Sequence, residues 1–93
     1  MPNYVVTQKA QDNIDEILIG VVEYTGFEES ALKLEDELHR KFALIAEFPH
    51  IGTDRKDGTF ETFTRNYRIV YEIIENDVFI TTVIHTRRLY PRV

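Results

Sequence analysis

The stretch His85-Thr86-Arg87-Arg88-Leu89-Tyr90-Pro91-Arg92 brings arginines, an imidazole and a phenol close together near the end of the chain. Guanidinium groups offer planar, paired donors for carboxylate or phosphate, and histidine and tyrosine can move a proton. Arg65 and Arg68 stand on a preceding β-like segment and are candidates for the same rim. Two chemistries fit. In one, a metal-free ribonuclease uses Arg65 and Arg87 to hold phosphate while His85 or Tyr90 handles protons. In the other nothing reacts, and Arg65, Arg68, Arg87 and Arg88 dock the protein onto an anionic target. A plainer account has these arginines solvated, or paired across strands with Glu61, Glu72 and Glu75.

Other chemistries lack their residues. The chain has no cysteine, which removes thiolate nucleophiles, disulfides and cysteine metal sites together. Its one serine, Ser30, falls where a helix should begin. His39, His50 and His85 have no metal-ligand spacing, and neither a P-loop nor a GxGxxG is present. No metal and no cofactor is expected. The carboxylates Asp15/Glu16 and Glu35/Asp36/Glu37 read as solvated helix faces.

The elements that must position the arginines follow from hydrophobic period. Asn3 to Thr7 reads as a short strand, and Thr7 can cap the helix behind it. Ala10, Ile14, Ile17, Leu18, Val21 and Val22 recur at helical spacing until Gly26 closes that helix. Glu28 and Glu29 suit the positive end of a second helix. Its stripe is Ala31, Leu34, Leu38, Phe42 and Ile45, stopped by Pro49 and Gly52. A short link makes the two an antiparallel hairpin. Thr53 to Gly58 is polar and turn-like. Strands are then expected at Thr59–Thr64, Tyr67–Ile74 and Val78–His85, with Asn76-Asp77 as a tight hairpin turn. Ile69-Val70-Tyr71 and Ile80 to Ile84 are apolar on both faces, as in central strands covered on each side. The order β-α-α-β-β-β predicts an α+β fold, a helical hairpin packed on a small, mostly antiparallel sheet.

Ninety-three residues suit one small domain spanning 1–93. The net charge is −5, which argues against wholesale coating of nucleic acid. The charge is divided unevenly. Residues 1–50 carry four Lys/Arg against ten Asp/Glu, and residues 51–93 carry seven against six. No apolar run is long enough to span a membrane and no signal-peptide pattern opens the chain, so a cytoplasmic protein is expected.

Several segments together resemble the RelE/ParE toxin superfamily. They are Ala10…Ile14-Asp15…Ile17…Tyr24, Ala31…Leu38…Phe42…Ile45-Ala46…Pro49…Gly52, Tyr67-Arg68-Ile69-Val70-Tyr71-Glu72-Ile73, and Val78-Phe79-Ile80…Val83-Ile84-His85…Arg87-Arg88. The resemblance covers nearly the whole chain, and the His85-Thr86-Arg87-Arg88 ending is closer to ParE-like members. It implies the toxin of a type II toxin–antitoxin system, associated with growth arrest and plasmid stabilization. A ParE-like toxin inhibits DNA gyrase by protein–protein contact. The alternatives are a RelE-like endonuclease acting on messenger RNA in the ribosome, or an inactive relative that binds only its antitoxin. The implied partner is a ParD-like or RelB-like antitoxin, within a toxin–antitoxin assembly or beside a homodimer of the toxin. Tyr24, Phe27 and Leu44 are candidates for the antitoxin groove, against a plainer role in completing the core.

Overall fold

The computed structural model describes residues 3–86. Strand β1 (Tyr4–Val6) leads into helices α1 (Gln8–Thr25) and α2 (Glu28–Glu47). Strands β2 (Thr53–Asp54), β3 (Phe60–Thr64), β4 (Tyr67–Ile74) and β5 (Asp77–His85) follow. They form one five-stranded sheet in the order β1-β5-β4-β3-β2. β1 runs parallel to β5, and every other pair is antiparallel.

Local chemistry sets the helix limits. The Thr7 hydroxyl accepts the Ala10 amide at 3.3 Å and donates to the Ile80 carbonyl at 2.9 Å. One side chain thus caps α1 and ties its start to β5. Thr7→Ala is expected to lower stability by about 1–2 kcal/mol, seen as a lower denaturant midpoint at unchanged slope. Gly26, at φ 77°, closes α1 in the left-handed conformation, and its amide meets the Val22 carbonyl at 2.7 Å. No side chain caps α2, but Glu28 and Glu29 lie in its first turn, where the helix dipole favours them.

Both helices bury their apolar stripes against the same sheet face. The core joins Ala10 and Ile14 of α1 and Leu34, Leu38, Phe42 and Ile45 of α2 to Ile69, Tyr71, Val78, Ile80 and Val83. Ile80 and Val83 share that face despite their odd spacing because the β4–β5 register shifts between Val70 and Tyr71. The expectation of central strands covered on each side is met only by half. β4 and β5 are both interior strands, but the helices lie on one face. On the other, Val70 is buried with Glu61 and Thr82 opposite it in the neighbouring strands.

Two turns differ from the sequence reading. The polar stretch from Thr53 opens with a two-residue strand, paired to Glu61 and Phe60. This edge strand is exposed and carries no apolar alternation, so it left no period to read. The β4–β5 hairpin turns at Glu75-Asn76, with Asp77 already paired to Ile74. Glu75 takes the positive φ of 57° that an Asn or Gly adopts more cheaply.

The loop after α2 is pinned from beneath. The Tyr71 hydroxyl donates to the Pro49 carbonyl at 2.8 Å and accepts the Gly52 amide at 3.0 Å. The Phe60 ring stacks on Tyr71 with centroids 5.6 Å apart.

Candidate functional site

The β3–β4 turn places Arg65 at one end of the sheet, with φ 50°. Its guanidinium donates to the Glu37 carboxylate of α2, and its side chain remains 53% exposed. Arg68 lies on β4 and points to the face away from the helices. Its Nε is 3.4 Å from Glu61 Oε2, its guanidinium sits 5.5 Å from the Phe63 ring centroid, and its side chain is only 12% exposed. Arg55, absent from the sequence-derived candidates, approaches the same Glu61 oxygen at 3.8 Å. Its Nη1 is 3.9 Å from Asp57 Oδ2. The Asp57 carboxyl is held below its usual range, chiefly by hydrogen bonds from the Thr59 hydroxyl and amide.

The arginines therefore do not converge as one set. Arg65 reaches toward the helix layer, whereas Arg68 is held in a half-buried charge cluster on the opposite face. Arg87, Arg88 and Tyr90 lie outside the described residues. His85 closes β5 on the helix-facing side, its ring edge-on to Tyr67 with centroids 5.4 Å apart. Tyr67 is its register partner, so Arg65, Tyr67 and His85 share one end of the sheet.

His85 also lines a groove of about 360 Å³ between α1 and β5. Asn13, Glu16, Ile17, Gly20, Val21 and Tyr24 supply the helix side, and Tyr67, Val83 and Ile84 continue the sheet side. The lining is mostly apolar. Gly20 keeps it open, since a Cβ there would meet nothing within 4 Å. A glycine inside an amphipathic helix was the available signal in the sequence, because it costs about 1 kcal/mol relative to alanine.

Tyr24, Phe27 and Leu44 are 92%, 68% and 37% exposed, so none completes the core. They do not form one patch. Tyr24 lines the groove and Phe27 sits at the hairpin tip, while Leu44 lies about 25 Å farther along α2 at about 1.5 Å per residue. Among the described residues, no group of three or more His, Asp or Glu side chains is arranged to hold a metal ion. No described helix is long and apolar enough to cross a membrane.

The sequence matches, over residues 4–90, the family model of the ParE toxin of the type II toxin–antitoxin system parDE. No curated protein sequence matches significantly. Among solved structures, the chain superposes on a chain of the chromosomal ParDE toxin–antitoxin system of P. aeruginosa with a TM-score of 0.79. That match has 20% identity and covers 94% of this chain and 98% of that one. A chain of the toxin–antitoxin complex RelBE2 from Mycobacterium tuberculosis gives a TM-score of 0.55 at 22% identity, covering 91% and 99%. At such identities these likenesses speak for the fold, which is the helical hairpin on a mixed sheet described above. The family match runs from β1 through β5 and into the arginine-rich ending, and on that ground the chain belongs to the ParE toxin family of type II toxin–antitoxin systems.

Proposed function

We propose that this toxin inhibits DNA gyrase by protein–protein contact and is neutralised by a cognate antitoxin. The observation that carries the reading is the ParE family match over residues 4–90. Arg65 supports it, because a half-exposed guanidinium stands at the sheet end from which the chain continues to Arg87 and Arg88. These three are the target-facing residues in this proposal. Arg68 is assigned to holding the outer sheet face through Glu61 and Phe63. Such a target implies action in the cytoplasm and arrest of DNA synthesis before protein synthesis.

Purified protein added to a gyrase supercoiling assay is expected to inhibit it or trap cleaved DNA. Arg65→Ala is expected to raise the concentration needed by about 5–30-fold, the range of an interface arginine worth about 1–2 kcal/mol. Unimpaired supercoiling beside arrested in vitro translation would overturn the proposal in favour of ribosome-dependent cleavage of messenger RNA.

A further inference from the structure

Strand β3 lies open over part of its outer edge. β2 pairs with it only at Phe60 and Glu61. The Arg55 amide meets the Thr59 carbonyl at 3.0 Å, so strand alternation turns the N–H and C=O of Glu61 and Phe63 toward that same edge. Continued by two residues, the β2 register would set Ile51 opposite Phe63. Ile51 instead gives its amide to the Phe48 carbonyl at 2.9 Å, and the chain leaves the edge. Among the described residues, nothing pairs with the Phe63 main chain on this side. The side chains around the gap are apolar and exposed. They are Leu44 and Phe48 of α2, Ile51, and Phe63 itself. Leu44 and Phe48 follow Glu37 by close to two and three helical turns, so they share its side of α2. That side faces β3, because the Glu37 carboxylate holds Arg65 at the end of the strand.

We infer that two copies of this chain join edge to edge through β3, about a two-fold axis at Phe63. In an antiparallel pair about such an axis, each Phe63 amide meets the carbonyl of the other. The open stretch of Thr62, Phe63 and Thr64 is too short to hold a foreign peptide by its main chain. β2 closes it at Glu61, and the turn at Arg65-Asn66 ends it. Side chains therefore supply most of the contact, and a two-fold axis uses Leu44, Phe48 and Ile51 twice. Charge favours the same occupant. The chain carries −5 overall, and α1 exposes Asp12, Asp15, Glu16 and Glu23 against Lys9, so two copies repel across that face. Beside the β3 edge the signs are mixed, with Arg40, Lys41 and Arg65 against Glu37 and Glu47. α2 runs opposite to β3, from Glu37 beside Arg65 to the loop where Gly52 approaches Glu61. The axis thus sets the two α2 helices antiparallel at Leu44, with Arg40 of one copy near Glu47 of the other. Two five-stranded sheets become continuous, and both open β3 edges are covered.

Sedimentation velocity of the free chain is expected to show a species moving from 11.0 kDa toward twice that mass as concentration rises. A small interface of this kind should give a Kd of about 10–100 µM. In isotope-labelled chain the Phe63 amide is expected to exchange about 3–8-fold more slowly at about 1 mM than at about 10 µM. Leu44→Glu, at an exposed position, is expected to weaken association at least about 20-fold with an unchanged melting temperature. Arg40→Glu and Glu47→Arg are each expected to weaken it about 3–10-fold, and less at high salt. Mixing those two variants is expected to restore the dimer, because each then meets its opposite charge across the axis. A chain that stays monomeric at about 1 mM overturns the inference. If Leu44→Glu then impairs binding of antitoxin or gyrase, the face belongs to that partner instead. A dimer that tolerates Leu44→Glu and leaves the Phe63 amide unprotected is built elsewhere on the molecule and overturns it too. Gyrase inhibition is read in a separate assay, so neither result bears on the proposed target.

Discussion

Phe42→Ala is expected to cost about 3–5 kcal/mol of folding stability. Phe42 is fully buried on α2, edge-on to Tyr4 at 5.7 Å and to His39 at 5.3 Å between centroids. Tyr4 and His39 are themselves joined by a 2.9 Å hydrogen bond between the phenol oxygen and Nδ1. Truncation empties the point where β1 meets α2, and the two remaining rings, Tyr4 and His39, cannot close in on the space without breaking that bond. A domain of this size has about 5–14 kcal/mol in all, so the variant would keep little reserve. At about 4–8 °C per kcal/mol its melting temperature should fall by at least about 12 °C. Phe42→Leu should lose much less, because most of the volume is retained. Denaturant melts check both variants. A loss under about 1 kcal/mol for the alanine would show that the contact between β1 and α2 adds little to the core.

Gly52→Ala should be nearly as damaging, by about 2–4 kcal/mol. An added Cβ would lie 2.5 Å from the Tyr71 hydroxyl oxygen and 2.8 Å from the Glu61 carbonyl oxygen. The second obstacle is backbone and cannot rotate aside. Tyr71→Phe alone should cost about 1–3 kcal/mol, because the Gly52 amide and Pro49 carbonyl lose their common partner. The two changes should not add. Without the hydroxyl the methyl group meets only the Glu61 carbonyl, so Gly52→Ala should be milder by about 0.5–2 kcal/mol in the Tyr71→Phe background. Strict additivity would show that the phenol is not the obstacle.

The same phenol predicts an alkaline response. Burial pushes the Tyr71 hydroxyl above its ordinary value of 10.0, outweighing the opposite effect of the hydrogen bond from the Gly52 amide. The folded chain therefore keeps this proton where the unfolded chain releases it. The stability this supplies is complete below about pH 10 and is lost as pH rises through the folded value. Melts at about pH 8 and about pH 11 should show a steeper decline for wild type than for Tyr71→Phe. Equal declines would mean that the phenol titrates alike in both states.

The two helices and three main strands were readable because each writes a period into the chain. Ile14 with the Leu34–Leu38–Phe42 stripe, and Ile69 with Tyr71, are spaced by the geometry of the element that buries them. Thr7 and Gly26 marked the ends of α1 for equally local reasons, a hydroxyl beside a free amide and a residue at ease with positive φ. The exposed strand β2 had no buried face and therefore no pattern. The turn at Glu75-Asn76 went unread because Asn76-Asp77 is the better turn dipeptide, and pairing of Asp77 with Ile74 overrode that preference.

The arginines show where local information stops. Composition placed Arg65 and Arg68 together, three positions apart, and invited a single docking edge. Tertiary structure separated them, giving Arg65 to Glu37 of α2 and Arg68 to Glu61 of β3. The groove is likewise made by distant parts, Asn13 meeting Val83 across seventy positions. What the sequence by itself determined is which residues must be buried and in which kind of element, because those demands act between near neighbours. Which carboxylate meets which guanidinium, and which side-chain amide meets the Val83 N–H, was decided only by the packed fold, because charge and hydrogen bonding act through space and leave no period along the chain.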